Sequence, residues 1–388
     1  MPMNHLLSIS DLESRARRRI PHYAWEYLDS GTGSEECLDR NRRAFARISL
    51  VPRFLRGEFH PNIETALFGT RYAAPLGIAP VGLSSMIWPN AETILAKTAA
   101  THRIPYVLST VANQSPEVVG PIVDGMGWFQ LYPPRDEGLR KDLLARARDA
   151  GFGTLVVTAD VPAVSRRERQ VRADLSIPPR ITLRMLYWSA IRPRWLLETL
   201  MSGQPRFRTL EKYVDASEMQ QVTKYIGENL GGTLSWDYLA KTRDEWQGPL
   251  VLKGILHPKD AERAIAVGVD GIVVSNHGGR QFDGAPAPLS VLPEIRAAVG
   301  SRAAILFDSG IRGALDIARA IALGADFVLL GRAFMFGVAA LGRGGGNHTA
   351  AILTDELTNV MRQLGCQTIE HLSRVTWRDD AAPQRNQP

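Results

Sequence analysis

The chain has 388 residues, enough for one barrel-sized domain or two ordinary ones. Its 45% hydrophobic and 22% charged residues are those of a globular protein, and two widely separated cysteines, Cys37 and Cys366, exclude a disulfide framework or a zinc site. The balance of 46 Lys+Arg against 40 Asp+Glu leaves a net charge of +6, but no zinc-finger spacing or RNA-binding aromatic motif accompanies it, which argues against a nucleic-acid partner. No run of about 18 apolar residues is present, as a spanning helix requires, and the charged "ESRARRRIP" lacks the apolar stretch of a secretory signal. The expectation is an intracellular protein, either soluble or lying on a membrane surface.

In chain order, "SDLESRARRRIPHYAWEYLDSG" predicts helices opened by Ser10, with Glu13 in capping-box spacing, and residues 1–70 are expected to form a helical cap. Eight short apolar runs follow: "PLGIAPVGL", "PYVLST", "GWFQLY", "GTLVVTAD", "GPLVLKG", "GIVVSNHGG", "AAILFDSG" and "DFVLLG". Continuous apolar runs of this length suit parallel strands buried on both faces. Helical patterns lie between most of them, among them "PKDAERAIAVG", with proline at its start and glycine at its stop, and "GALDIARAIALG". The alternation predicts an α/β fold, a (β/α)8 TIM barrel in a single domain over 1–378, with a doubly wound open sheet as the other way to arrange such units. One interval breaks the rhythm: "TLVVTAD" ends at Asp160 and "PLVLKG" begins at Pro249. Residues 165–248 are therefore a long insertion after strand 4, too long for a plain loop. After Gly331 the pattern is helical to about Leu372, and 379–388 reads as a disordered tail.

The apolar runs finish in polar groups: Gln130 and Tyr132, Thr158 and Asp160, Lys253, Ser275 and His277, Asp308, then Gly331 and Arg332. One such residue is usually a helix cap or a turn. Repeated on strand after strand of a parallel barrel, they converge on the C-terminal rim, where barrel active sites lie. "DSGIR" and "LGR" offer backbone N–H groups near Gly310 and Gly331, with Arg312 and Arg332 as forked cations, after the two strands that usually bind phosphate. Ordinary glycine turns with solvated arginines are the plainer reading. Lys253 closes an apolar strand and needs an anion: a Schiff-base role, stabilisation of an anionic cofactor, or a simple ion pair would each satisfy it.

Taken together, "SNHGGRQFDG", "EYLDSG", "APVGL", "FQLY", "TADVP", "SRRER", "LVLKGIL" and "DSGIRGALDIARAIALGA" resemble, in order, the FMN-dependent L-2-hydroxy acid oxidase and dehydrogenase family over about Leu6 to Val375. "LSTVAN", "GILHPKDA" and "FDSGIR" are most similar to bacterial quinone-linked L-lactate and mandelate dehydrogenases. The resemblance implies FMN as cofactor, no metal, and a homotetramer. It implies His277 as catalytic base beside Asp160, Arg280 and Arg167 as the clamp on a substrate carboxylate, Tyr27 assisting them, and Tyr132 bonded to the substrate at C2. Lys253 would face the flavin, and Asp283 would orient Arg280. Pro80, Val81 and Gly82 would lie against the flavin, with Ser109, Gln130 and Thr158 bonding its ring. Ser275 and Asp308 would touch ring or ribityl groups, and Gly310, Arg312, Gly331 and Arg332 would hold the phosphate.

Several positions depart from the commoner family pattern. Gly82 stands where oxidases usually carry alanine, which favours a dehydrogenase over an O2-consuming oxidase; Val111 stands where glycolate oxidase has tryptophan, widening the pocket. Ser309 replaces the glycine of the usual "DGG", and Gly313 follows Arg312 where many members have a second arginine. Within the insertion, Ile177 to Phe207 mixes Tyr187, Trp188, Trp195, Leu and Met with Arg180, Arg184, Arg192, Arg194 and Arg206. That composition suits the headgroup region of an anionic bilayer, on the inner face of the cell membrane, where a quinone acceptor would be met. A lid packed on the barrel or on another subunit is the alternative.

Overall fold

The computed structural model describes residues 5–175, 181–214, 225–230 and 234–381. Each of the eight apolar runs contains one strand: β1 (Leu76–Ile78), β2 (Tyr106–Ser109), β3 (Gly127–Leu131), β4 (Thr154–Thr158), β5 (Leu250–Ile255), β6 (Gly271–Val274), β7 (Ala304–Phe307) and β8 (Phe327–Leu330). All neighbours pair in parallel, and β8 returns to β1 with Val328 opposite Leu76, closing the (β/α)8 barrel. With helices outside and packed side chains within, both faces of nearly every strand are buried, which is why the sequence showed runs rather than alternation.

The N-terminal mouth of the barrel is stoppered. A hairpin, Thr65–Leu67 with Thr70–Tyr72, brings Tyr72 against Trp128 and Phe327, and the Trp128 indole donates to the Tyr72 hydroxyl at 3.1 Å. Phe68 at its tip packs on Trp128. Only the C-terminal rim is left for chemistry.

Three helices of the predicted cap serve that rim: α1 (Ile9–Arg19), α2 (His22–Asp29) and α3 (Glu36–Ala46). Helix α1 begins two residues earlier than the Ser10 signal suggested. Ser8 is the N-cap, in a capping box with Asp11, because Ile9, Leu12 and Ala16 must share one buried helical face. Arg15 and Arg19 donate to the Ala340 carbonyl at 3.1 and 2.7 Å, seating α1 on the helix Arg332–Leu341. Ile48–Leu50 pairs antiparallel with Trp377–Asp379, so Asp379, assigned from sequence to a disordered tail, ends a strand. Residues 382–388 lie outside the described residues.

The insertion is built, not loose. The helices Leu183–Ala190 and Pro193–Ser202 dock through Trp195, whose indole donates to the Ile87 carbonyl at 3.0 Å, and through Ser189 bonded to the Tyr23 hydroxyl at 2.9 Å. Downstream, Phe207 and Leu210 pack with Leu83 and Val111 beside the rim. Asn113 donates to the Arg206 carbonyl at 3.1 Å and takes the Ser85 N–H at 2.8 Å, tying this limb to the loops after β1 and β2.

Close helix contact is enforced by Gly345, where a β-carbon would lie 2.0 Å from the Gly337 carbonyl oxygen. Gly345→Ala should force apart the helices Arg332–Leu341 and Gly345–Leu364 and cost about 1–3 kcal/mol, read as a lowered melting temperature.

Candidate active site

Strand β6 is buried to Val274, and then Ser275, Asn276 and His277 emerge at the rim. His277, Gly278 and Gly279 take φ of +59, +66 and +74, a run of left-handed backbone that folds the chain back within three residues. Asn276, fully enclosed, exchanges two hydrogen bonds with Asn41 of α3 at 2.9 and 2.7 Å, so the cap helix holds the turn.

His277 Nδ1 lies 2.8 Å from Asp160 Oδ1. An ionised carboxylate can only accept, so Nδ1 carries the proton and Nε2 presents its lone pair to the cleft, 3.5 Å from the Tyr132 hydroxyl. Burial pulls the His277 pKa below the ordinary value of 6.5, more than Asp160 raises it, so the ring is neutral at pH 7. Burial would raise the Asp160 pKa, but Lys253 and His277 outweigh it and hold the carboxylate down to about 2. Tyr132 is pushed up to about 12 by burial and then by Asp160, and stays a phenol.

Lys253, 4% exposed, donates to Ser275 Oγ at 2.8 Å and pairs with Asp308 at 3.1 Å and Asp160 at 3.7 Å. Burial opposes its charge, yet the two carboxylates more than restore it, and the pKa is raised. Lys253 therefore stays charged between two carboxylates, which disfavours a neutral amine for Schiff-base chemistry and leaves stabilisation of an anionic cofactor open to it.

Four guanidiniums surround this core: Arg167, Arg280, Arg312 and Arg332. Among the described residues none lies within ion-pair distance of a carboxylate. Arg280 donates to the carbonyls of Tyr27 and Ser30 at 2.7 and 3.2 Å and lies 5.1 Å from the Tyr27 ring centre. Arg332 donates to the carbonyls of Leu28, Gly278 and Ser30 at 3.0, 2.8 and 3.0 Å. Arg312 donates to the Ile311 carbonyl and stands over the Phe336 ring. Enclosure and then a neighbouring arginine depress their pKa values, to about 10 for Arg280 and Arg312 and about 9 for Arg332. Cations packed together with only neutral acceptors call for anions from outside the chain. Two sets are distinguishable: Arg280 with Arg167 beside His277, and Arg312 with Arg332 at the ends of β7 and β8. This is the distribution that a substrate carboxylate and a cofactor phosphate would need.

The remaining expected residues also converge. Ser109, Gln130 and Thr158 form a buried hydrogen-bonded row across β2, β3 and β4, at 2.8 and 2.9 Å. The Tyr27 hydroxyl donates to the Gly82 carbonyl at 2.8 Å, and a β-carbon at Gly331 would touch Val81, so the Pro80–Gly82 loop borders the same cleft. Gly310, φ +96, packs on Asn41. Asp283 is the exception. Its carboxylate accepts from the Ser34 N–H and hydroxyl at 3.0 and 2.9 Å and from the Cys37 N–H at 2.8 Å, so it anchors the start of α3 and has no bond to Arg280.

One residue absent from the sequence reading shapes the site. Gly254 interrupts the β5–β6 register between Lys253 and Ile255 with φ +101, and a β-carbon there would lie 2.5 Å from Asp160 Cβ. The glycine inside an apolar strand was its sequence signal.

Nearly the whole chain is similar to proteins of one family. A profile of the FMN-dependent dehydrogenase family matches residues 16–379. An L-lactate dehydrogenase of Serratia proteamaculans (strain 568) is 39% identical over 366 residues, 94% of this chain and 96% of that protein. Another, of Xanthomonas euvesicatoria pv. vesicatoria (strain 85-10), is 39% identical over 374 residues, 95% of this chain and 96% of that protein. The crystal structure of a monotopic membrane protein, (S)-mandelate dehydrogenase, superposes with a TM-score of 0.93 at 33% identity, covering 97% of this chain and 100% of that one. A mandelate oxidase structure gives 0.83 at 34% identity, covering 97% and 99%. The chain belongs to the FMN-dependent dehydrogenase family, as an FMN-dependent L-2-hydroxy acid dehydrogenase.

Gly254→Ala should push Asp160 off His277. The expected result is a folded protein with a flavin reduced about 10–100-fold more slowly, measured by anaerobic stopped flow.

Proposed function

We propose that this enzyme oxidises an L-2-hydroxy acid, L-lactate first and mandelate-like acids next, to the 2-oxo acid and passes the electrons to a membrane quinone. The observation that carries the reading is a neutral His277, oriented by Asp160, beside guanidiniums that have no carboxylate partner among the described residues.

In this reading Arg280 and Arg167 grip the substrate carboxylate, with the Tyr27 hydroxyl assisting, and Tyr132 steadies the oxygen at C2. His277 Nε2 removes a substrate proton, and Asp160, already bonded to Nδ1, stabilises the imidazolium that results. FMN, when bound, accepts the electrons and hydrogen that leave the substrate. Gly310, Arg312, Gly331 and Arg332 would hold its phosphate. Pro80, Val81, Gly82, Ser109, Gln130, Thr158 and Lys253 would surround its ring, with Ser275 and Asp308 nearby. The fixed charge of Lys253 would favour negative charge on that ring.

The relatives named above support L-lactate as first choice and mandelate next. The site predicts that L-lactate without oxygen bleaches the flavin's visible absorbance, and that His277→Asn keeps FMN while slowing bleaching about 10²–10⁴-fold. The pH dependence follows from the base having to be neutral. With the His277 pKa depressed, the rate should be level through neutral pH and fall only on the acid side of 6.5, as the ring protonates. No bleaching by any L-2-hydroxy acid would remove the reading.

Support for a membrane acceptor comes from the insertion. Its tryptophans do not face outward as the composition suggested: Trp195 is buried, and Trp188 packs on His22. The outward surface is instead Ile181, Leu183, Leu186, Tyr187, Leu197, Leu200 and Met201, with Leu183 86% and Leu200 72% exposed. Arg184 and Arg194 are exposed on the same helices, whereas Arg180 lies outside the described residues. No described helix is long and apolar enough to cross a membrane, so the contact would be peripheral. The protein should sediment with vesicles containing anionic lipid, less at high salt, and Leu183→Asp with Leu200→Asp should abolish this without slowing flavin reduction. Hydrogen peroxide release matching turnover would favour the O2-using oxidase instead.

A further inference from the structure

We infer that Ser309 is a positioning residue for His277, holding the base's backbone in its left-handed conformation; this rests on the role given to His277 above. Ser309 stands where β7 passes into its loop and takes φ +83, a conformation free to glycine and costly to serine. Its hydroxyl is used to full capacity. Oγ donates to Asp308 Oδ1 at 2.7 Å and accepts the N–H groups of Gly278 at 2.9 Å and Asn276 at 3.3 Å. Those two N–H groups flank His277, whose own N–H goes to Ser275 Oγ at 3.0 Å.

The contacts close into a ring. Ser275 Oγ also accepts from Lys253, Lys253 pairs with Asp308, and Asp308 returns to Ser309. Backbone 276–278 completes it. His277 at φ +59 has no intrinsic reason to stay there, since a β-carbon disfavours that region. Two serine hydroxyls catching three successive N–H groups supply the reason. Without Ser309 Oγ, two of the three are released, and the turn can relax toward commoner backbone angles, carrying the imidazole away from Asp160.

The test compares Ser309→Gly with Ser309→Ala in the FMN-loaded enzyme. Glycine removes the bonds and the backbone strain together, so its melting temperature should stay near wild type. Its KM for L-lactate should be retained, and flavin reduction should slow about 10–100-fold. Alanine keeps the strain and loses the bonds, so it should be both slow and less stable. An activity-independent readout is nitrogen-15 NMR of the histidine-labelled holoenzyme, with His277 assigned through His277→Asn. The ring is faced by Asp160, Lys253, Arg167 and Tyr132, and because Asp160 is the partner that raises its pKa, in Ser309→Gly its titration should fall further below the ordinary histidine value. Wild-type rate in Ser309→Gly, or a loss confined to KM, overturns the inference. If no L-2-hydroxy acid reduces even the wild-type enzyme, the proposed function fails, and an unmoved His277 titration alone then decides against Ser309.

Discussion

An ammonium enclosed at the end of a doubly buried strand keeps its charge only if carboxylates come to it, and much of the rim is arranged around that demand. Lys253 draws Asp160 from β4 and Asp308 from β7. Breaking such a buried pair on one side costs about 3–5 kcal/mol, so the three strand ends are held in mutual register by charge as well as by backbone pairing. Asp160 then has one oxygen committed to His277 and the other facing the ammonium. The histidine's tautomer and the direction of its free lone pair follow from the carboxylate that this buried lysine helps to hold. Gly254, directly after it, supplies the space that lets Asp160 approach.

The barrel was legible because parallel strands buried on both faces leave uninterrupted apolar runs, and all eight did so. Rim residues were legible for a related reason: most of the runs ended in polar chemistry at the same end. The buried Lys253 and the Arg312–Arg332 pair are arrangements that residue types at strand ends imply once the barrel is assumed, whereas the His277–Asp160 pair and the Arg167–Arg280 clamp were implied by the family resemblance. What escaped was set by competition between local signals or by backbone angle. Two overlapping sequence signals offer a start for α1, Ser8 with Asp11 and Ser10 with Glu13, and the buried face chooses Ser8. Asp283 lies three residues from Arg280 in sequence, yet its carboxylate is taken by the N–H groups of a different helix. The left-handed angles of Gly254 and Ser309 have no periodicity to announce them; a glycine within a strand and a serine ahead of Gly310 where the commoner family pattern is "DGG" are their only traces.

The insertion joins two environments. One end displays apolar side chains outward while its tryptophans grip α2 and the loop after β1. The other sends Phe207 and Leu210 against Leu83 and Val111, beside Gly82, where a β-carbon would lie 2.7 Å from Val111 Cγ2. The outward apolar face and the wall beside Gly82 belong to one stretch of chain, so the lid and the membrane readings of this segment are compatible descriptions of different faces.

The pairing of Ile48–Leu50 with Trp377–Asp379, the seat of α1 on Arg332–Leu341 and the closure of β8 on β1 all join the beginning of the chain to its end. During synthesis the first seventy or so residues therefore emerge with nothing to dock on. In the finished fold Trp25 and Phe45 are covered by Phe336 and Phe307, which come far later in the chain. The same closure that leaves the barrel no loose strand edge makes its nascent form dependent on whatever shields those side chains for the length of one translation.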